Sequence, residues 1–201
     1  MAILVFLNGE VQVDSKLING EVVEKVIAVD GGLDKIPRDL KAEQIIGDLD
    51  SVQGNYHEID VLRFPAKKSK SDFELTLEYL TENYRNKKII IYGLTGGRVD
   101  HQLFNFFVLK DHISYNTYIA DTITETIYFI PKEITISGHK GRTFSVFPLT
   151  PISVTIKGAS YPLKEKECDM YQSLTLSNII KDQTLHVELH QGMGAVIINK
   201  D

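Results

Sequence analysis

In the stretch "QIIGDLDSV", residues 44 to 52, Asp48 and Asp50 follow a short apolar run with one leucine between them. On an extended backbone, residues i and i+2 share a face, about 6.6 Å apart along the strand. Two carboxylates so placed repel each other unless a cation lies between or beside them, and oxygen ligands suit magnesium. A polar turn in which an aspartate caps a backbone N–H explains the same letters. The choice therefore rests on what else the chain brings to this place.

Three other apolar runs are followed by chemically active groups. Asp30, Gly31 and Gly32 follow "KVIAV"; Lys67, Lys68, Lys70 and Asp72 follow "VLRFP"; Gly96, Gly97, Arg98, Asp100 and His101 follow "IIIYG". Each has a plain structural explanation. An aspartate in a first helical turn favours the helix dipole, glycine pairs permit tight turns, and lysines line solvated loops. Coincidence at four successive strand ends is harder to explain that way. In an open α/β sheet, ligands bind beyond the carboxyl ends of the strands. The assembled set is what polyphosphate chemistry needs: carboxylates for magnesium, close backbone N–H groups for oxygens, and cations for developing charge.

The elements that must position these groups fall into two rhythms. Up to about residue 120, the runs "AILVFL", "KVIAVD", "QIIGD", "IDVLRF", "KIIIYG" and "NTYIAD" are mostly continuous, as in parallel strands covered on both faces. Between them, Phe73, Leu77, Leu80 and Tyr84 have helical spacing, and Ser71 with Glu74 fits a capping box. Val99, Leu103, Phe106 and Lys110 form a second helical stripe. The expectation is an α/β domain over residues 1–120, a Rossmann-like parallel sheet with helices and right-handed crossovers. From residue 121 to 201, "TITETIYFI", "EITIS", "RTFSVFPL", "SVTIKG", "YQSLTLS" and "LHVELHQ" alternate, and "AVIINK" closes the chain. That predicts a small antiparallel β-sandwich or barrel. No linker marks the boundary, so the two domains are expected to abut.

The chain has 201 residues and a formal net charge of -5. Such a balance argues against a nucleic-acid footprint, which needs a basic face. No apolar run is long enough to span a membrane as a helix. "MAILVFLNGE" reads as a first strand closed by an Asn-Gly turn, not as a signal peptide. Cys168 is the single cysteine, so no internal disulfide forms, and a cytoplasmic location is expected. There is no internal repeat, no Walker loop and no Gly-x-Gly-x-x-Gly. His186, Glu188 and His190 share a strand face, but they alternate with Leu185, Val187 and Leu189, so a solvated face is the better reading than a metal site. Cys168 sits in the charged stretch "KEKECDM", read as a surface loop with nothing to activate the thiol.

"AVDGG", "IIGDLDS", "SDFELTL" and "GLTGGRVDH", in that order, resemble the thiamine pyrophosphokinase family, and "FSVFPLT", "VTIKGASYPL" and "LSN" resemble its β-domain. The resemblance implies transfer of a diphosphoryl group from ATP to the hydroxyl of thiamine, giving AMP and thiamine diphosphate, with magnesium required. It implies a homodimer whose thiamine site lies between the α/β domain of one subunit and the β-domain of the other. Carried onto this chain, Asp48, Asp50 and Asp72 hold magnesium and the phosphates, with Asp30 nearby. Gly31, Gly96, Gly97 and His101 belong to the nucleotide side, Arg98 and Asp100 flank the transferring group, and Ser177 and Asn178 belong to the thiamine pocket. Arg98 can fork onto oxygens, and either Asp100 or Asp72 can accept the hydroxyl proton. The family pattern Asp-x-Thr-Asp reads "SKSD" here, so Ser69 stands in place of a possible metal-shell carboxylate.

Two other readings compete. Phosphohydrolases that form an aspartyl phosphate would use Asp48 as nucleophile and Asp50 as acid. They want a small hydroxyl residue where Val52 stands, and they leave the Gly-Gly-Arg-x-Asp-His motif unexplained. A sensor that binds thiamine or nucleotide without turnover gains some support from Ser69.

Overall fold

Isoleucine- and valine-rich runs without alternation bury both faces; such runs in the first 121 residues are strands, and the partly exposed run at residues 60–63 is an edge strand beside them. They are β1 (Ala2–Phe6), β2 (Val23–Val29), β3 (Gln44–Gly47), β4 (Asp60–Arg63), β5 (Lys88–Tyr92) and β6 (Thr117–Asp121). The computed structural model describes residues 1–13, 18 and 21–200. It divides the chain into two compact units, Met1–Ile123 and Thr124–Asp201.

In the first unit the strands are parallel, in the order β6-β5-β1-β2-β3-β4. The chain steps outward from β1 to β4, then returns to the other side of β1 for β5 and β6. The winding direction therefore reverses beside β1, where the loops after neighbouring strands diverge and leave room for a ligand. The loops after β1 and β5 meet there: the Glu10 N–H donates to the Thr95 carbonyl at 2.9 Å. Gly9 makes this approach possible, because a Cβ on it would lie 2.3 Å from the carbonyl oxygens of both Gly93 and Thr95.

Two helices follow strands. Helix α1 (Asp72–Asn83) starts as its letters require: the Ser71 hydroxyl accepts from the Glu74 N–H at 3.1 Å, a cap worth about 1 kcal/mol. Phe73, Leu77 and Leu80 are buried on its inner face, each leucine contributing about 2 kcal/mol. Helix α2 (Val99–Lys110) also forms, but its expected stripe is not covered. Only Leu109 is buried, while Val99 and Leu103 are 66% and 58% exposed. Phe106 is half-buried, and the helix reaches the core only at its last turn, so Val99, Leu103 and Phe104 project outward.

The second unit holds β7 (Glu125–Ile130), β8 (Glu133–Ser137), β9 (Thr143–Pro148), β10 (Ile152–Lys157), β11 (Leu163–Cys168), β12 (Asn178–Ile179), β13 (Thr184–Gln191) and β14 (Gly194–Asn199). Strands β12-β9-β14-β7 pair antiparallel, and β11-β10-β13-β8 form a second antiparallel sheet. One core joins them, with Val146 and Val196 from the first group and Val154, Leu185 and Val187 from the second.

Two local expectations fail here. "YQSLTLS" is a turn rather than a strand; Tyr171 and Leu176 point to solvent, and the buried Thr175 donates its hydroxyl to the Val146 carbonyl. The alternation that predicted a strand has its polar member inside. "KEKECDM" is not a surface loop but mostly the edge strand β11, whose charges line the open side as edge strands require. Its last residue, Cys168, is buried, and burial pushes its thiol up, away from reactivity. Among the described residues, no helix is long and apolar enough to cross a membrane.

Candidate active site

Strand β2 delivers Asp30 to the carboxyl edge of the sheet. Its backbone turns to a φ of 47° and opens a 3-10 turn over Asp30–Lys35. A non-glycine residue in this region costs on the order of 1 kcal/mol, a cost often tolerated at functional sites. Strand β3 ends at Gly47, and Leu49 takes a φ of 70°. The leucine between the two aspartates is an anchor: it is buried against Ala28 and Ile45. The backbone is therefore not extended across residues 48–50, and the same-face reading of Asp48 and Asp50 fails. Asp50 is exposed, its N–H donating to Asp48 Oδ1 at 3.2 Å.

The carboxylates that do converge are Asp30, Asp48 and Asp72, with ligand oxygens all within 4.8 Å of one another. Asp48 and Asp72 of the expected metal set thus gather with Asp30, while Asp50 lies outside this cluster. Gly47 makes the convergence possible. A Cβ there would come within 3.1 Å of Asp30 Cβ and 3.2 Å of Asp72 Oδ1.

Lys68 closes the group. Its Nζ lies 3.2 Å from Asp48 Oδ2 and 3.0 Å from Asp72 Oδ1, with the side chain 14% exposed. Burial raises the Asp72 carboxyl above its ordinary value; the ammonium of Lys68 only partly offsets this, and Asp48 and Asp30 add to it. Asp48 is lowered, chiefly by the Asp50 N–H, against the effect of burial and with help from Lys68. Burial works against the charge on Lys68, but Asp72 and Asp48 outweigh it and raise its proton affinity.

Three carboxylates therefore face one ammonium. Asp30 Oδ1 is buried without a hydrogen-bond partner, which ordinarily costs a buried polar group dearly. An all-oxygen donor set, an orphaned oxygen and the bare backbone at Gly47 together fit a small hard cation such as magnesium. The sequence had supplied Lys68 only as one of three lysines. Lys67 is exposed, and Lys70 pairs instead with Glu78. Ser69 is also exposed.

The loop after β5 brings Gly96 to a φ of 87° and Gly97 to 82°. Arg98 forks onto Asp100, with Nε 3.1 Å from Oδ1, and both side chains are largely exposed. The His101 N–H also donates to Asp100 Oδ1, at 3.0 Å. The Arg98 guanidinium, followed by that N–H, holds the Asp100 carboxyl down at about 2. Asp100 is a poor proton acceptor while Arg98 holds it. Asn8, which the sequence showed only as part of a turn, also reaches this edge; a Cβ on Gly31 would lie 2.7 Å from its Nδ2 and 3.1 Å from Ser51 Cβ.

The second unit has a cleft of about 440 Å³ lined by Ser145, Phe147, Gln172, Ser173, Leu176 and Ser177 among others. Ser177 adopts a φ of 58°, and its N–H donates to Ser145 Oγ at 3.0 Å. Asn178, expected in a ligand pocket, is buried and otherwise employed. Its Oδ1 accepts from the N–H groups of Tyr161 and Ile179, and its Nδ2 donates to the Tyr161 carbonyl at 2.8 Å. Every one of those bonds is to backbone, so Asn178 clamps the 161 loop. The cleft of the first unit, about 490 Å³ near Leu33, Lys41 and His57, shares no residue with the acidic group.

Comparison with known proteins places this geometry. A family model described as the catalytic domain of thiamin pyrophosphokinase matches residues 20–120, and one for its vitamin B1 binding domain matches residues 129–193. The thiamine pyrophosphokinase of Bacillus subtilis (strain 168) is 30% identical over 122 residues, 57% of this chain and 56% of that protein. The matched stretch thus spans little more than half of that relative. Among solved structures, the thiamine pyrophosphokinase from Bacillus subtilis superposes with a TM-score of 0.81 at 24% identity, covering 100% of both chains. The thiamin pyrophosphokinase from Geobacillus thermodenitrificans gives 0.83 at 23% identity, covering 100% of this chain and 98% of that one. At such identities these two likenesses show the shared fold, a mixed α/β unit with a second antiparallel sheet.

Proposed function

The chain belongs to the thiamin pyrophosphokinase family, and on that premise we propose that it transfers a diphosphoryl group from ATP to the hydroxyl of thiamine, giving thiamine diphosphate and AMP. The observation that carries this reading is the convergence of Asp30, Asp48 and Asp72 with Lys68 at the carboxyl edge of the parallel sheet. On this reading the first unit works as a Rossmann-like nucleotide platform, with phosphates at the strand ends and acidic groups beneath them.

Asp30, Asp48 and Asp72 would hold magnesium, with Asp50 at the exposed rim. When bound there, magnesium would screen the phosphate oxygens and help to align the triphosphate for in-line attack. The residues of this chain do the rest. Gly31, Gly96 and Gly97 let backbone approach the phosphates, beside His101. Arg98, freed from Asp100 as substrate enters, forks onto the transferring group as its charge develops. The thiamine oxygen bonds to the β-phosphorus, the bond from that phosphorus to the oxygen bridging it to the α-phosphorus breaks, and AMP leaves with that oxygen. The hydroxyl proton needs an acceptor, and Asp72 or an Asp100 released by Arg98 can take it.

The cleft beside Ser177 is the proposed thiamine site, with Asn178 supporting its wall from behind. We place the enzyme in the cytoplasm as a homodimer, each thiamine site shared between two subunits. The outward apolar side chains Val99, Leu103 and Phe104 supply surface that a second copy would cover. The test is incubation with ATP, thiamine and magnesium, followed by chromatography. Thiamine diphosphate and AMP in equal amounts are expected. Thiamine monophosphate with ADP would mean a simple kinase, free phosphate alone a phosphatase, and unchanged substrates a sensor.

A further inference from the structure

Lys68 sits where a divalent cation would be drawn. Its ammonium touches Asp48 and Asp72, two of the three carboxylates in the group, at 3.2 and 3.0 Å. No other ammonium or guanidinium is paired with those three among the described residues. We propose that Lys68 is a displaceable counter-ion: it holds the acidic group together while no metal is bound, and it gives up that place when the divalent cation enters. This rests on the reading of Asp30, Asp48 and Asp72 as the metal site.

The argument is one of competition for the same charge. A magnesium or manganese ion takes carboxylate oxygens at about 2.1 Å, much closer than an ammonium does. An ion drawing on the oxygens of Asp48 and Asp72 meets the ammonium already on them, and two cations so close repel. The divalent ion brings twice the charge and reaches Asp30 as well, whose Oδ1 has no partner and is not served by Lys68.

Lys68 has somewhere to go. It lies in the irregular segment between β4 and α1, and its neighbours Lys67 and Ser69 are exposed. Four residues before Asp72, it is tethered near the group it leaves. A released ammonium beside bound phosphates is then a ready partner for their oxygens. The same residue thus serves two states: it neutralises carboxylates before the metal arrives and phosphate oxygens afterwards.

Two measurements on the substrate-free protein test this, with manganese as the probe. The first is an electron paramagnetic resonance titration. Lys68→Met should bind manganese roughly tenfold or more tighter than the unaltered protein, because an opposing charge in contact has been removed. Asp48→Asn should abolish binding in both backgrounds. The second needs no variant, and so survives a Lys68→Met protein that fails to fold. Acetylation of Lys68, read by mass spectrometry against Lys67 as reference, should rise several-fold on manganese saturation. Equal or weaker manganese affinity in a folded Lys68→Met protein, with binding still lost in Asp48→Asn, overturns the displacement while leaving the metal site standing. Unchanged Lys68 acetylation despite bound manganese does the same. No manganese binding in either the unaltered protein or Lys68→Met overturns both.

Discussion

Two places in this molecule bunch ligand-type side chains, and they are built in opposite ways. On β13, His186, Glu188 and His190 lie two residues apart, so the sequence sets them side by side. His190 Nδ1 stays 3.7 Å from Glu188 Oε1, but the fold engages both histidines elsewhere. His186 Nδ1 lies 3.0 Å from Thr135 Oγ1, and His190 Nε2 lies 2.8 Å from Thr155 Oγ1. Each histidine is occupied by a threonine of a neighbouring strand. At the sheet edge, Asp30, Asp48 and Asp72 are far apart in sequence, yet their oxygens gather within 4.8 Å around a lysine. Nearness along the chain makes a solvated strand face; convergence of separate strand ends, half-buried with an excess of one charge, makes a candidate site.

The largest effect that would break this contrast lies at Asp72. Asp72→Asn should lose roughly a thousandfold in kcat while keeping its fold, since it removes charge where the transition state needs a bound cation. Steady-state rates and circular dichroism check both parts. Gly47→Ala should come next. Its Cβ would press on Asp30 and Asp72, so roughly tenfold or more in kcat is expected to go, with about 1 kcal/mol or more of stability. Urea titration beside the rate measurement separates the two losses. In the second unit, Ser173→Trp at the cleft should raise KM for thiamine about tenfold and leave KM for ATP unchanged, because a lost pocket weakens one substrate alone.

The smallest effect is local. In the unaltered protein, the Asp100 carboxyl should titrate by carbon-13 NMR at about 2, and Arg98→Met should return it toward the ordinary aspartate range. A depressed carboxyl adds stability that is complete above its unfolded value and lost as pH falls through about 2. The pair is exposed, so that contribution should be slight. An Asp100 that titrates normally in the unaltered protein would mean the Arg98 fork does not persist in solution.

The strands of the first unit were legible because burial on both faces demands continuous apolar runs, and "KIIIY" or "AILVF" can satisfy little else. Helix α1 was legible through Ser71 and its leucine spacing. The membership of the acidic group was not. It depends on left-handed backbone at Asp30 and Leu49, and on Leu49 packing against Ala28 and Ile45. No local pattern carries that. Lys68 differs from Lys67 and Lys70 only in where the segment before α1 points it. Helix α2 shows the reverse failure: its stripe has helical spacing, but spacing cannot say whether anything in the chain covers it.

The most direct test sets the two bunched groups side by side in one assay: turnover against magnesium concentration for Asp48→Asn and for His190→Asn. Asp48→Asn should lose roughly a thousandfold at any magnesium concentration, whereas His190→Asn should stay within about twofold of the unaltered protein, with the same half-saturating magnesium, as expected of an exposed residue outside the acidic group. Near-normal turnover in Asp48→Asn, or a shifted magnesium requirement in His190→Asn, would contradict the account.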